Sequence, residues 1–192
     1  MEATEAASYL SKYNLQHVAS SPLSRAKFGA RQVLARQAVA GDSSDGPSGV
    51  INEEGIHVFE GFRELDRGAW CGLTKDEIGA DMLARFDACD LTVTPGQGGE
   101  SYPALKSRVI RARDELLAMT DVGRASAIVS HLQVTRAMLS DALGSDVTEM
   151  AGLLIKTASV SCVDYSEDGT AVVRFQSFKP DSGLQESKDG AN

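Results

Sequence analysis

The sequence predicts an α/β fold of three layers, α/β/α, built on a mixed, mostly parallel sheet. Three observations carry that reading. Short β-prone runs alternate with stretches whose apolar residues recur at helical spacing. Residues 125–130 (ASAIVS) are apolar and few enough for a strand buried on both faces, and they lead through His131 directly into a helical pattern over 133–143. Residues 156–165 and 171–178 are two further β-prone runs that meet at Ser166-Glu167-Asp168-Gly169 as an antiparallel hairpin.

Each element follows in order. Ala3, Ala6, Ala7 and Leu10 share one helical face, so residues 2–13 open the chain as a helix. Residues 15–19 (LQHVA) form a strand that stops at Ser20-Ser21-Pro22, where a serine cap followed by proline in the first turn starts a second helix. Ala26, Ala30, Val33 and Leu34 keep its stripe to about residue 40. The composition of 41–49 (GDSSDGPSG) is that of a flexible loop. Residues 56–59 read as a strand, 62–74 (FRELDRGAWCGLT) as a loop, 75–86 as a helix and 91–99 as an irregular, glycine-rich connection. Ser101 caps a long amphipathic helix with Leu105, Val109, Ala112, Leu116 and Leu117 on its apolar side. Residues 1–178 are expected to form one domain, and the polar segment 179–192 a disordered tail.

Composition narrows the function classes. The 192 residues, 42% hydrophobic and 24% charged, can bury a proper core, which excludes a disordered, collagenous or disulfide-stapled chain. Nineteen Lys plus Arg against 27 Asp plus Glu give a charge of −8, with no basic run, which argues against nucleic acid or an anionic membrane surface as partner. An anionic substrate must then be drawn by a few cations gathered in a small pocket. Cys71, Cys89 and Cys162 form no C-x-x-C and have no histidine at metal-ligand spacing, so neither a disulfide framework nor a zinc site is expected. A reducing, cytoplasmic location is the default, although a segment ahead of residue 1 could carry a targeting peptide. No run of 18 apolar residues exists to span a membrane.

Two strand-to-helix junctions carry the chemistry. SSPLSR ends in Arg25, and SHLQVTR contains His131. In open α/β sheets ligands gather at the carboxyl ends of strands, where helix N-termini attract phosphate or carboxylate. Arg25 offers a planar fork matched to two phosphate oxygens; the competing reading is a surface arginine whose stem packs on its own helix. His131 is either a pocket residue or a satisfied core histidine. Taken alone, Glu64, flanked by Arg63, Asp66 and Arg67, is a solvated loop carboxylate, and Gly98-Gly99-Glu100-Ser101 a helix entry. His17 and His57 lie within β-prone runs, where structural roles are the default.

From about residue 2 to 176 the chain resembles the histidine phosphatase superfamily, the phosphoglycerate-mutase-like proteins. VASSPLSRA is similar to that family's S-S-P-L-x-R-A segment, FRELDRGAWCGLTKDEI to its L-x-E-x-x-x-G-x-W-x-G loop, GGESYPALKSRV to its G-E-S helix start, and AIVSHLQVTRAML to its V-S-H-x-x-V-x-R stretch. Glu64-Leu65-Asp66-Arg67-Gly68 stands where the glycolytic mutases carry E-R-x-Y-G, so the loop looks more like the phosphatase side, fructose-2,6-bisphosphatase domains included. The resemblance implies transfer of a phosphoryl group from a small phosphorylated metabolite to a histidine, followed by hydrolysis, without metal or cofactor. By position, Arg25 would clamp the phosphoryl oxygens, His131 stabilise the charge on the group in flight, and Glu64 protonate the leaving oxygen. Specificity would rest on 91–99 and on the segment around Gly72.

One departure is large. The family's nucleophile belongs to an R-H-G motif ending a first strand about 30 residues ahead of the opening helix, and no R-H-G occurs in the sequence. Loss of a nucleophile from a cooperating set costs about a millionfold in turnover. In the family that strand lies between the His131 strand and the closing hairpin. An empty slot would strand roughly ten backbone groups at about 1–3 kcal/mol each, comparable with a whole domain's stability. The expectation is therefore an N-terminally incomplete domain over 1–178, its first family strand missing from this sequence: either the slot is filled, most economically by a segment ahead of residue 1 that would restore strand and nucleophile at once and less so by a strand from a partner, or the sheet rearranges. The alternative function is a pseudophosphatase that binds phosphorylated ligands or a protein partner without turnover; a third reading is an interaction domain with no phosphate site.

Overall fold

The structure, a computed structural model, describes residues 2–37, 50–51 and 55–180; the side chains of 50–51 are outside the description. Among the described residues six helices and six strands follow one another: α1 Glu2–Leu10, β1 Leu15–Ser20, α2 Ser24–Leu34, β2 Val50–Ile51, β3 His57–Val58, α3 Lys75–Ile78, α4 Ala80–Asp87, α5 Tyr102–Met119, β4 Ala125–Val129, α6 Leu132–Ala142, β5 Val160–Tyr165 and β6 Ala171–Phe178. Short 3-10 turns at Glu60–Phe62, Gly68–Trp70 and Val147–Gly152 shape the connections.

The main sheet has the order β2-β3-β1-β4, with β1 parallel to both β3 and β4 and β2 antiparallel at the edge. Its period of two divides the core. Val18 and Ala127 join Ala7, Ala30 and Val33 on the α1/α2 side, while Ala19 and Ile128 face the larger cluster that includes Leu105, Val109, Leu116, Val134 and Ala137 of α5 and α6. The three-layer arrangement expected from the sequence is present. Ser20 lies level with Val58 and Val129, so β1 and β4 end side by side and deliver α2 and α6 from the same edge.

Two local expectations change. The helix read over 75–86 breaks at Gly79, whose φ of 95° lies in the left-handed region, into α3 and α4. A capping box between Thr74 and Glu77 fixes the start of α3. β2, two residues long, had no readable pattern. Residues 41–49 and 181–192 lie outside the described residues, but Lys179 is placed, 2.6 Å from Glu2.

The closing hairpin forms as read, with Gly169 at φ 84° in its turn, yet it stands as a separate two-stranded sheet. β4 and β5 do not pair. Between them runs a cavity of about 1090 Å³, walled by α1 (Ala3, Ala6, Leu10) on one face and by α5 and α6 (Leu116, Met138) on the other. The hairpin is held by its flanks. Tyr9 of α1 meets Phe178 and Phe175 at ring-centroid distances of 4.9 and 6.4 Å, and the Arg113 guanidinium of α5 lies 4.8 Å over the Tyr165 ring. Among the described residues no helix is long and apolar enough to cross a membrane.

Candidate active site

The parallel register of β1 and β4 puts the first turns of α2 and α6 next to each other. Neither turn is capped by its N-cap side chain: Leu23 cannot do so for α2, and His131 makes no such bond for α6. The N–H groups of both first turns therefore face the strand ends with their positive ends forward, an arrangement suited to an oxyanion. Arg25 stands in the first turn of α2, exposed, and His131 at the head of α6, buried.

These two side chains meet. Arg25 Nε–H donates to His131 Nδ1 at 3.2 Å. Because an arginine is always a donor, Nδ1 must be an acceptor, so the neutral ring carries its proton on Nε2 and donates it to Ser21 Oγ at 2.8 Å. Burial, then the charges of Arg25 and Arg108, hold the His131 pKa down at about 4. The resting imidazole is neutral, and a negative charge beside it would oppose the two guanidinium charges and raise its affinity for a proton.

Glu64 lines the same cavity as Arg25 and His131, and also a smaller one of about 290 Å³ shared with Arg63, Glu100 and Arg108. Its carboxylate accepts from Leu65 N–H at 2.8 Å. Its backbone is fixed by Arg108 of α5, which forks onto Glu100 with two bonds of 2.7 Å. The same guanidinium donates to the carbonyls of Gly61 and Arg63 at 2.8 Å and of Glu64 at 3.3 Å. The next turn is locked as tightly, since a Cβ on Gly68, at φ 50°, would sit 2.3 Å from Gly99 N. The loop and the G-E-S helix entry are thus one packed unit.

The other two histidines are engaged with each other. His17 Nε2 lies 3.0 Å from the Met119 carbonyl, and its ring meets that of His57 edge-on with centroids 4.8 Å apart. Burial, and then the neighbouring His17, lower the His57 pKa. Cys71, Cys89 and Cys162 are all free. Among the described residues no group of three His, Cys, Asp or Glu could hold a metal ion.

Against known proteins, residues 1–177 match the family model of the histidine phosphatase superfamily (branch 1). The chain belongs to the histidine phosphatase superfamily. The bifunctional protein Rv2228c of Mycobacterium tuberculosis is 33% identical over 173 residues, which are 88% of this chain and 43% of that protein; the chain thus spans less than half the length of the curated relatives it matches. Among solved structures, the mycobacterial glucosyl-3-phosphoglycerate phosphatase Rv2419c superposes with a TM-score of 0.70 at 24% identity, over 93% of this chain and 85% of that one. Phosphoserine phosphatase of Entamoeba histolytica, in complex with 3-phosphoglyceric acid, does so at 0.70 and 19%, over 96% and 83%. Likeness at that level shows the shared histidine phosphatase fold.

Within this histidine phosphatase domain, sequence reasoning singled out Arg25, His131 and Glu64, and one cavity contains all three. It treated Ser21 as a helix cap. The structure begins α2 at Ser24; Ser21 Oγ accepts weakly from Leu23 N–H at 3.3 Å and receives the His131 proton. It did not single out Arg108. Its ion pair with Glu100, eight residues away and across a helix start, and its carbonyl partners more than forty residues away leave no local pattern to find.

Proposed function

We propose that this chain holds the phosphoryl group of a small phosphorylated metabolite between Arg25, His131 and the first turns of α2 and α6, as the binding half of phosphomonoester hydrolysis through a phosphohistidine. The observation that carries the reading is the 3.2 Å contact of Arg25 with a buried, neutral His131 at two uncapped helix starts. In this scheme the dianion displaces Nδ1 as the partner of Arg25, and the guanidinium turns its N–H groups to the oxygens. His131 gains a proton from solvent and donates to the equatorial oxygens, where charge rises as the P–O ester bond breaks and a P–N bond forms to an attacking histidine, a group that none of the described residues places at this site. Glu64, kept at the cavity wall by the grip of Arg108 on its backbone, supplies the proton to the leaving oxygen.

A second reading, binding without turnover by residues 1–192 alone, is favoured by one observation. The sequence has three histidines, and His17 and His57 are engaged with each other in the sheet rather than at the site. The expected result is that inorganic phosphate or vanadate raises the melting temperature of the chain by several degrees at millimolar concentration, and that Arg25→Ala abolishes the rise. No rise with folded protein removes both phosphate readings. Acid-labile phosphohistidine formed by the chain alone from p-nitrophenyl phosphate removes the second and leaves the first.

A further inference from the structure

The proposed function leaves one cation at the cavity unused. Lys156, exposed, lines the same cavity as Arg25 and His131, and contacts on either side of it fix the end at which it stands. Arg136, early in α6, donates to the carbonyls of Ala151 and Leu153 at 3.2 and 2.9 Å, so the chain that leaves the 3-10 turn passes over the start of α6. At the other end of β5 the Tyr165 hydroxyl lies 3.5 Å from Arg113, which also pairs with Asp141 in the last turn of α6. β5 therefore runs from the His131 end of α6 toward its far end, and Lys156, just ahead of Val160, stands at the His131 end.

The backbone of Lys156 is held tightly while its side chain is free. Its N–H donates to Ser177 Oγ at 2.8 Å, and its carbonyl accepts from Ser159 N–H at 3.2 Å and from Ser159 Oγ at 2.7 Å. Ala158 inside that turn has φ 54° and Ser177 has φ 52°, both in the left-handed region that a side chain disfavours. Cys89 is the one other non-glycine residue with positive φ among the described residues, so this strain gathers where Lys156 is held. Such strain costs about 1–3 kcal/mol per residue and collects where a ligand contact needs a fixed position. Among the described residues no carboxylate pairs with the ammonium. The neighbouring cations are committed or distant. Arg63 and Arg108 pair with Glu60 and Glu100, and Arg124, also in the cavity wall, precedes Ala125 at the opposite end of β4.

We propose that Lys156 is a further anion contact of this site: its ammonium closes on an anionic oxygen of the bound phosphomonoester, either of the phosphoryl group or of a second acidic group on the same molecule. The proposal rests on the reading of the cavity as a phosphate site. Arg25 and a protonated His131 balance one dianion, and a ligand with a further acidic group calls for a further cation, the more so in a chain of charge −8. A compact point charge on a flexible four-carbon stem meets oxygens at more than one distance, which the planar fork of Arg25 does not. A fixed backbone keeps that charge at the cavity mouth without ordering the stem before the ligand arrives.

The test is titration calorimetry at pH 7 on residues 1–192, with inorganic phosphate, glycerol 3-phosphate and 3-phosphoglycerate; the last two differ in a hydroxymethyl group against a carboxylate. Lys156→Met is expected to weaken binding about tenfold, the worth of one charge-assisted hydrogen bond. Weakening of all three ligands places the ammonium on the phosphoryl group, and weakening of 3-phosphoglycerate alone places it on the second acidic group. Lys156 is exposed and its main-chain bonds survive the substitution, so the melting temperature without ligand is expected to stay unchanged. Lys12→Met, which removes the same charge ahead of β1 at the far end of the sheet, is expected to leave all three affinities unchanged. The proposal is overturned if Lys156→Met binds all three ligands as tightly as the wild type, or if Lys12→Met weakens them equally, which would reduce the effect to net charge. Failure of the wild type to bind any of the three removes the phosphate reading and this contact together; binding that Lys156→Met leaves intact removes the contact alone.

Discussion

Lowering the pH should weaken the fold through His131 specifically. Its pKa falls from the ordinary 6.5 to about 4 in the folded chain, chiefly through burial. Between those values the unfolded chain holds a proton that the native chain does not, so stability rises with pH across the window; it is fully present above 6.5 and lost as the pH drops toward 4. At about 1.36 kcal/mol per pH unit the whole window amounts to about 3 kcal/mol, of which about 2 kcal/mol falls between pH 7 and pH 5. Urea unfolding of the wild type and of His131→Gln at pH 7, 6 and 5 isolates the effect. His57, also depressed by burial, titrates alike in both proteins and cancels in the difference. The variant should lose about 2 kcal/mol less than the wild type over that range. Parallel curves for the two proteins would refute the claim that a buried, neutral imidazole sits beside Arg25.

Three further outcomes follow from the same geometry. Arg108→Ala leaves the Glu100 carboxylate, whose side chain is only 16% exposed, without its forked partner and frees three carbonyls. Urea unfolding should show a loss of about 3 kcal/mol, and a loss below 1 kcal/mol would mean that the clamp is ornamental. Gly68→Ala forces a Cβ to 2.3 Å from Gly99 N and should cost several kcal/mol, whereas Gly72→Ala, at φ 86° but with open space around it, should cost about 1 kcal/mol; equal melting temperatures for the two variants would contradict the packed loop. Vanadate protection should weaken as the pH rises, because the bound anion needs a proton on His131; protection that is flat from pH 6 to 8 would show that the ring stays neutral in the complex.

What the sequence disclosed was local in origin. Helical stripes such as Leu105–Val109–Ala112–Leu116 and the two-faced run 125–129 are written at short spacing, so α5, β4 and the alternation of layers could be read directly. Arg25 and His131 were legible because a strand ending in a helix start is itself a local pattern. The Arg25–His131 bond and the convergence of Glu64 depend on β1 lying beside β4, a pairing between segments more than a hundred residues apart. The grip of Arg108 on the Glu64 loop and the service of Ser21 to the His131 ring are of the same kind. The break at Gly79 was missed because apolar spacing continues through a residue whose positive φ ends the helix. The resemblance led to the expectation of a filled slot or a rearranged sheet, whereas the described residues leave a cavity between β4 and the hairpin; the flanking contacts of Tyr9 and Arg113 that keep the hairpin in place were not legible either.

The measurement that reaches the centre of this account is the ¹⁵N spectrum of the His131 ring at pH 7, assigned by comparison with His131→Gln, as inorganic phosphate is titrated in. The free protein should show the neutral ring protonated on Nε2, and saturating phosphate should convert it to the imidazolium, with both nitrogens protonated and no such change in Arg25→Ala. A ring protonated on Nδ1 at the start, or one that phosphate leaves untouched, would contradict the oxyanion site at the heads of α2 and α6.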